Sequence, residues 1–216
     1  MAVRRVPKNY RNVTGIMASR KALAPADYES TLERDFLTLL EFSPLVRAFD
    51  VQPVTVTWQE NGRERRYTPD VLVHYEPYEG MVARLELYEV KYRQDLRKDW
   101  TVIRPKLRAG VHFAKEQGWR FRIATEIEIR TPYLENAKFL LAFAKREFPP
   151  EPCAQLLLSL SELRETTPAG LLMAVCRDET NRALLAPALW HLLGTFRIGA
   201  DLHFPLTMNC RIWSKE

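Results

Sequence analysis

Three side chains in the stretch 67–91 have the types and the spacing that phosphodiester hydrolysis requires. Asp70 precedes one apolar extended segment, and Glu89 and Lys91 end the next one. Because successive side chains of a strand point to opposite faces, Glu89 and Lys91 lie on the same face. If the neighbouring strand brings Asp70 alongside, two carboxylates and one ammonium converge. Carboxylates bind Mg²⁺ and a lysine stabilises charge developing on a phosphate, so the pattern predicts metal-dependent phosphodiester cleavage.

The same residues also have a simpler interpretation. Glu-x-Lys is common on amphipathic strands, where it forms a surface or cross-strand ion pair, and Pro-Asp is common in turns. Pro69 removes a ladder donor and disfavours helix at Thr68, so Asp70 is predicted at a bend or at a strand start. These residues alone leave both interpretations open.

A third carboxylate, Glu33, lies on a predicted amphipathic helix over 28–42. It shares a face with Leu37 and Leu40, so it borders the apolar stripe of the helix. Ser30-Thr31-Leu32-Glu33 spells a capping box, in which Glu33 satisfies a backbone donor. If Asp27 is the cap instead, Glu33 moves into the second turn and is free for chemistry. The sequence does not decide between the two.

The elements that must position these side chains follow from the apolar pattern. A strand region over 46–58 turns at Asn61-Gly62, a preferred hairpin dipeptide, into the strand that carries Asp70. Beyond Lys91 the spacing predicts a helix over 96–116 with an irregularity at Pro105, then a strand over 121–124 and a helix over 133–147.

Basic residues follow the candidate site directly. Arg93, Arg97 and Lys98 are predicted to contact DNA phosphates, although they also fit the solvated face of a helix. A second basic group lies in the arm 1–26, which holds six cations and no acid. Since the whole chain has a net charge of +5, the remainder is close to −1. The predicted DNA-binding residues of this arm are Arg4, Arg5, Lys8 and Arg11, with a solvated tail as the alternative.

Composition limits the class of protein. The 216 residues are 46% hydrophobic and 27% charged, which is typical of a soluble globular chain with one main domain and a small appendage. No secretory signal and no membrane-spanning run is expected, and the dispersed cysteines and histidines disfavour zinc and disulfides. We therefore expect a cytoplasmic protein with no membrane partner. The absence of a glycine-rich phosphate loop disfavours a nucleotide-driven motor.

A proline-rich segment at 149–152 predicts a domain boundary. The chain from 153 to 216 is predicted to form three helices and a small ribbon, similar to a winged helix, and Thr167-Pro168 is expected to start its second helix. This segment has no net charge, which favours contact with protein over strong DNA binding.

Taken together, the motifs resemble the TnsA family, the endonuclease subunits of heteromeric bacterial transposases. The resemblance covers about residues 25–145. It rests on the Ser30-Thr31-Leu32-Glu33 helix start, Tyr67-Thr68-Pro69-Asp70, Tyr88-Glu89-Val90-Lys91, and Thr125-Glu126 with Asn136-Ala137-Lys138-Phe139-Leu140. It implies an α/β fold: a restriction-endonuclease-like mixed sheet flanked by helices over 27–148, followed by the winged-helix-like domain.

The resemblance also implies an activity and partners. A bacterial, cytoplasmic enzyme of this family nicks the 5′ ends of a transposon, while a partner transposase cuts and joins the 3′ ends. The expected partners are therefore transposon-end DNA, that transposase and an ATPase regulator, which we expect to bind the C-terminal domain.

By position, Glu33, Asp70 and Lys91 match the catalytic Glu, Asp and Lys of the family. Glu89 matches a position that Gln also occupies, and a Glu there adds one negative charge. The resemblance implies that Glu33, Asp70 and Glu89 bind Mg²⁺, with Mn²⁺ as a substitute, and it favours the metal-ligand interpretation of Glu33.

Two competing hypotheses remain. The chain is alternatively a restriction or repair nuclease that acts alone, or a catalytically silent adaptor that binds DNA through its arm and partners through its C-terminal domain. The adaptor predicts DNA binding without metal-dependent cutting.

Overall fold

A computed structural model describes residues 13–77 and 82–215. The predicted DNA-binding residues Arg4, Arg5, Lys8 and Arg11 lie outside the described residues. The chain divides into two compact units, one ending at Ile129 and the other beginning at Arg130. The expected boundary at 149–152 lies further along, where Pro150 already begins a helix. None of the helices in the described ranges has the length and hydrophobicity to cross a membrane.

The first unit is built on a mixed four-stranded sheet. Its strand order is β3-β6-β7-β8, with β7 and β8 parallel and the other neighbours antiparallel. This mixed sheet with flanking helices fits a nuclease-like α/β fold. The elements of the unit are β1 (Gly15–Met17), β2 (Ala26–Tyr28), α1 (Thr31–Phe42), β3 (Val46–Val51), β4 (Val56–Glu60), β5 (Arg63–Tyr67), β6 (Val71–Tyr75), β7 (Arg84–Val90), α2 (Arg93–Lys98), α3 (Trp100–Glu116), β8 (Arg120–Ala124) and α4 (Glu126–Ile129).

Two helices cover opposite faces of this sheet, as the alternation along β7 predicts. On one face the Phe36 ring of α1 lies 5.0 Å from the Tyr88 ring, measured between centroids. On the other face Leu87 packs in a buried cluster with Leu72 and with Ala114 of α3. Glu89, which is two residues after Leu87 on the same strand, therefore also points toward α3.

A separate β4–β5 hairpin leads into the strand that follows Asp70. Its turn is the predicted Asn61-Gly62, and both residues have positive φ, 52° and 74°. That is the backbone a two-residue turn of this type requires, so the turn prediction is confirmed. Asp70 lies at a bend just before β6, also as predicted.

The basic segment after Lys91 forms two helices instead of one. Helix α2 ends at Lys98, Asp99 leaves helical geometry with ψ 18°, and α3 starts at Trp100. The expected irregularity at Pro105 is therefore displaced to Asp99, and Pro105 lies within α3. Pro105 is the sixth residue of α3, beyond its first turn, so it removes the hydrogen bond that residue 105 would donate to the Thr101 carbonyl, and the helix nevertheless continues to Glu116.

Part of the expected N-terminal arm belongs to the folded unit. Strand β1 pairs with β2, and the Glu41 carboxylate accepts hydrogen bonds from the Ser19 hydroxyl at 2.5 Å and the Arg20 backbone at 3.1 Å. The Lys21 ammonium donates to the Ser43 carbonyl at 2.5 Å, at the C-terminal end of α1. A cation is favourable there because the last carbonyls of a helix carry partial negative charge.

The second unit contains four helices and a three-stranded sheet in the order β10-β11-β9. The Thr167 hydroxyl caps α7 by accepting from the Gly170 N–H at 3.0 Å, which confirms the predicted helix start. Its elements are α5 (Pro132–Ala144), α6 (Pro150–Leu163), β9 (Glu165–Thr166), α7 (Pro168–Val175), α8 (Glu179–Gly194), β10 (Ile198–Ala200) and β11 (Ile212–Ser214).

Candidate active site

Asp70 and Glu89 meet where β6 begins and β7 ends. The antiparallel register pairs Val71 with Tyr88, which places Asp70 opposite Glu89. The Asp70 backbone N–H donates to the Tyr88 carbonyl at 3.0 Å, and the Val90 N–H donates to the Asp70 carboxylate at 2.6 Å. The sheet itself therefore fixes these two carboxylates next to each other.

Glu89 is 3% exposed and points toward α3. The Tyr67 hydroxyl donates to its Oε2 at 2.5 Å, and the Lys106 ammonium lies 2.7 Å from its Oε1. Lys106 also lies 4.8 Å from the centroid of the Tyr67 ring. Burial and the Glu89 charge raise the pKa of the Tyr67 phenol, so Tyr67 remains a donor at neutral pH.

The pKa of Asp70 is raised well above its usual value. Desolvation is the largest cause, followed by the negative charges of Glu89 and Glu33. The Val90 hydrogen bond and the Lys106 charge act in the opposite direction. Crowded carboxylates of this kind are typical of sites where a cation or a proton is taken up.

Glu33 is held at the start of α1 by hydrogen bonds, and the charges of neighbouring carboxylates affect its pKa. Ser30 is the N-cap, and its hydroxyl accepts from the Glu33 N–H at 3.2 Å and donates to Glu33 Oε1 at 2.9 Å. Glu33 Oε2 accepts from the Glu29 N–H at 2.7 Å. Burial raises the pKa of Glu33, these hydrogen bonds lower it, and the charges of Glu29 and Glu89 raise it. The cap is therefore formed at Ser30, not at Asp27, within electrostatic range of Glu89.

Lys91 lies just beyond the end of β7, where its backbone N–H donates to the Ala124 carbonyl at 3.0 Å. With Glu33 and Tyr92 it lines a surface groove in front of the α1 N-terminus. Among residues 13–77 and 82–215, the Lys91 ammonium has no hydrogen-bond or ion-pair partner. The structure thus places Asp70 beside Glu89, leaves Glu33 within electrostatic range of both, and leaves Lys91 lining the groove.

The donor set suits a hard cation only in part. No three His, Cys, Asp or Glu side chains within the described ranges stand in the arrangement of a formed metal site. Mg²⁺, however, commonly uses only one or two carboxylates together with water and phosphate oxygens. Asp70 and Glu89 fit that requirement, because a carboxylate has about four lone-pair positions and each of these carboxylates uses only one or two of them here.

The basic residues after the site lie on the surface. Arg93, Arg97 and Lys98 are exposed on α2 and line a shallow groove with Glu126 and Ile127. The Arg93 backbone N–H donates to the Glu126 carboxylate at 2.9 Å. Their guanidinium and ammonium groups are therefore accessible to a polyanion.

Sequence reasoning missed Tyr67 and Lys106 as partners of Glu89. The signal for Lys106 was present, because the buried side of α3 carries Ile103, Leu107 and Gly110. Lys106 lies three residues after Ile103 and four before Gly110, so it occupies the same face of α3. A cation on an apolar helix face requires a buried partner, and Glu89 is that partner.

Residues 43–126 match the family model described as TnsA-like endonuclease N terminal. The matched segment contains Asp70, Glu89 and Lys91, and it starts after Glu33. A search of curated proteins found no match to the chain. Together with the mixed sheet and the paired carboxylates, this match supports a TnsA-like endonuclease domain, and hence a nuclease related to transposition, in the first unit of the chain.

Proposed function

We propose that the chain is a metal-dependent DNA endonuclease that nicks the 5′ ends of a transposon together with a partner transposase. The observation that carries the proposal is the pairing of Asp70 with Glu89 at one end of the sheet, with Glu33 in electrostatic range. The family match over the same residues supports the reaction class.

In this mechanism Asp70 and Glu89 hold Mg²⁺ or Mn²⁺, with Glu33 as a third carboxylate close by. The cation, when bound, supplies Lewis-acid stabilisation of the charge on the scissile phosphate. Lys91 reaches the DNA strand from the groove, where it orients the attacking water and stabilises the phosphorane-like charge. The Ser30 cap fixes the position of Glu33 at the edge of the same groove.

DNA binding in this proposal comes from the N-terminal residues Arg4, Arg5, Lys8 and Arg11 and from the exposed cations of α2. Each phosphate that a cation neutralises releases counterions, so the affinity depends on salt. Arg93, Arg97 and Lys98 follow the carboxylates directly in the chain, which allows them to hold the strand that is cut.

The segment 153–216 of the second unit is proposed as a winged-helix-like domain that binds the ATPase regulator. Its order from α6 to β11 is helix, strand, helix, helix, strand, strand, with β11 between β9 and β10. This arrangement supports a winged helix. The lack of a net charge from 153 to 216 favours a protein partner.

A nicking assay tests the proposal. The wild-type chain is incubated with a labelled transposon end and Mg²⁺, with and without the partner transposase. We expect a nick at the 5′ end that needs Mg²⁺ and is lost in Asp70→Ala and Lys91→Ala proteins that fold normally. Full cleavage by Asp70→Ala would refute the assignment. Cutting of any DNA without the transposase would favour a stand-alone nuclease, and binding without cutting would favour the adaptor.

A further inference from the structure

The carboxylate pair has a compensating charge that comes from α3, the helix that covers this face of the sheet. Lys106 Nζ lies 2.7 Å from Glu89 Oε1, and the Lys106 side chain is 26% exposed against 4% for Glu89. The second oxygen of Glu89 accepts from the Tyr67 hydroxyl at 2.5 Å. Both oxygens of this buried carboxylate are therefore held by α3 and by the end of β5.

The packing of α3 makes this arrangement rigid. Gly110 lies one turn beyond Lys106, and a Cβ at this position would lie 3.1 Å from a ring carbon of Tyr67 and 2.7 Å from one of Phe121. The helix thus approaches the aromatic rings closely enough for Lys106 to reach Glu89 across the Tyr67 ring. Ile103 and Leu107 on either side of Lys106 are buried, which limits the freedom of its stem.

We infer that Lys106 is a positioning residue that neutralises Glu89 and orients it beside Asp70, so that the site carries the charge it would have with a glutamine at position 89. The inference rests on the proposed function, because it assigns a role in a cation-binding site. Lys91 then remains available for the DNA strand, since Lys106 already compensates the carboxylates. The two lysines have separate tasks.

The charge assignment makes a specific prediction for four proteins: wild type, Lys106→Met, Glu89→Gln and the double variant. In EDTA, Lys106→Met leaves a buried carboxylate unpaired and is expected to lower the thermal midpoint by roughly 5–10 °C. Glu89→Gln in the same chain removes that charge and is expected to restore at least half of the loss. Lys115→Met, at an exposed position of the same helix, controls for the loss of a lysine and should leave the midpoint unchanged.

Calcium affinity, measured by titration calorimetry, gives a readout that a purely structural lysine would not change. One additional negative charge near the site is expected to tighten Ca²⁺ binding roughly tenfold in Lys106→Met, and one fewer to weaken it by a similar factor in Glu89→Gln. The double variant should bind Ca²⁺ more tightly than Glu89→Gln alone and less tightly than Lys106→Met alone. Lys106→Arg, which keeps the charge, should stay close to wild type.

The outcomes separate the inference from the proposed function. Additive effects of the two substitutions on the midpoint, unchanged Ca²⁺ affinity in Lys106→Met, or a double variant that fails to fold would each overturn the role of Lys106. If the wild type binds no Ca²⁺ and cuts no DNA, the proposed function fails, and the midpoint cycle in EDTA alone decides the Lys106–Glu89 pairing.

Discussion

Replacing Asp70 by asparagine should stabilise the metal-free protein, although it removes a proposed catalytic group. The Asp70 carboxyl is desolvated and lies near the charges of Glu89 and Glu33, which raises its pKa. Because the folded-state pKa is raised, the stability that the protonated carboxyl contributes is fully present below the unfolded value of about 3.9. It is lost as the pH rises through the folded-state value. Asparagine does not titrate. The stability of Asp70→Asn relative to wild type should therefore increase as the pH rises from the unfolded to the folded-state pKa of Asp70.

An order-of-magnitude size for the effect comes from the general strength of repulsion between neighbouring charges. Two like charges about 4–6 Å apart repel by roughly 3–4 kcal/mol at an effective dielectric constant near 20. Lys106 already offsets part of this repulsion. Asparagine can still accept from the Val90 N–H, but it loses about 1 kcal/mol of charge assistance. We expect a net gain of about 1–3 kcal/mol, or roughly 3–10 °C in the thermal midpoint, near pH 8 in EDTA.

The assay is thermal unfolding of both proteins in EDTA and in Mn²⁺ across the pH range. Mn²⁺ should raise the midpoint of the wild type much more than that of Asp70→Asn, because the variant loses one of the two carboxylates proposed to hold the ion. Glu86→Gln is a matched control for which the opposite change in stability is expected. Glu86 is also buried on β7, but it lies 3.0 Å from Arg84 and 3.8 Å from Arg122, so its removal should destabilise the protein. An Asp70→Asn protein less stable than wild type in EDTA would refute the reasoning.

Three further predictions follow from individual contacts. Ser30→Ala should lower the free energy of unfolding by about 1 kcal/mol, because it removes the α1 cap. Glu33→Gln keeps an acceptor for the Glu29 N–H, so it should lose nicking activity with a smaller loss of stability; nicking equal to that of the wild type would leave Glu33 with the cap role alone. Arg97→Ala and Lys98→Ala should each reduce the slope of log DNA affinity against log salt concentration by about 0.9, and Lys138→Ala in the second unit is the control that should not change it. Unchanged slopes in all three variants would exclude α2 from the DNA interface. Gly110→Ala should lower the free energy of unfolding by roughly 1–3 kcal/mol, because the added Cβ would displace the rings of Phe121 and Tyr67. Nicking should also decrease, because Tyr67 holds Glu89 in position; a variant as stable and active as the wild type would contradict the close packing of α3.

Local signals in the sequence predict local structure well. Asn61-Gly62 adopts the positive φ angles of its hairpin and Thr167 caps α7, both as predicted, whereas Ser30 caps α1 and so decides between two caps that the sequence left open. In each case the determinant is a side chain or a backbone preference within four residues. Strand alternation allowed Asp70 and Glu89 to converge only if their strands were neighbours, and the antiparallel register of β6 and β7 meets that condition.

Features that depend on packing between distant elements were not predictable. Lys106 reaches Glu89 only because α3 crosses the sheet after β7, and residues 17 positions apart show no pairing signal of their own. The helix break falls at Asp99 and not at Pro105, although Pro105 is the stronger local signal and removes one backbone hydrogen bond inside α3. The unit boundary at 129/130 carries no proline or glycine cluster, and it reflects which helices pack together.

Crystallography of the wild-type chain in Mn²⁺, with anomalous data, tests the central claim most directly. We predict an anomalous peak bonded to the carboxylates of Asp70 and Glu89, with Lys106 still paired to Glu89 and Lys91 directed at the open groove. A structure without a peak at these carboxylates, or with Mn²⁺ bound only by other residues, would contradict the proposed catalytic site.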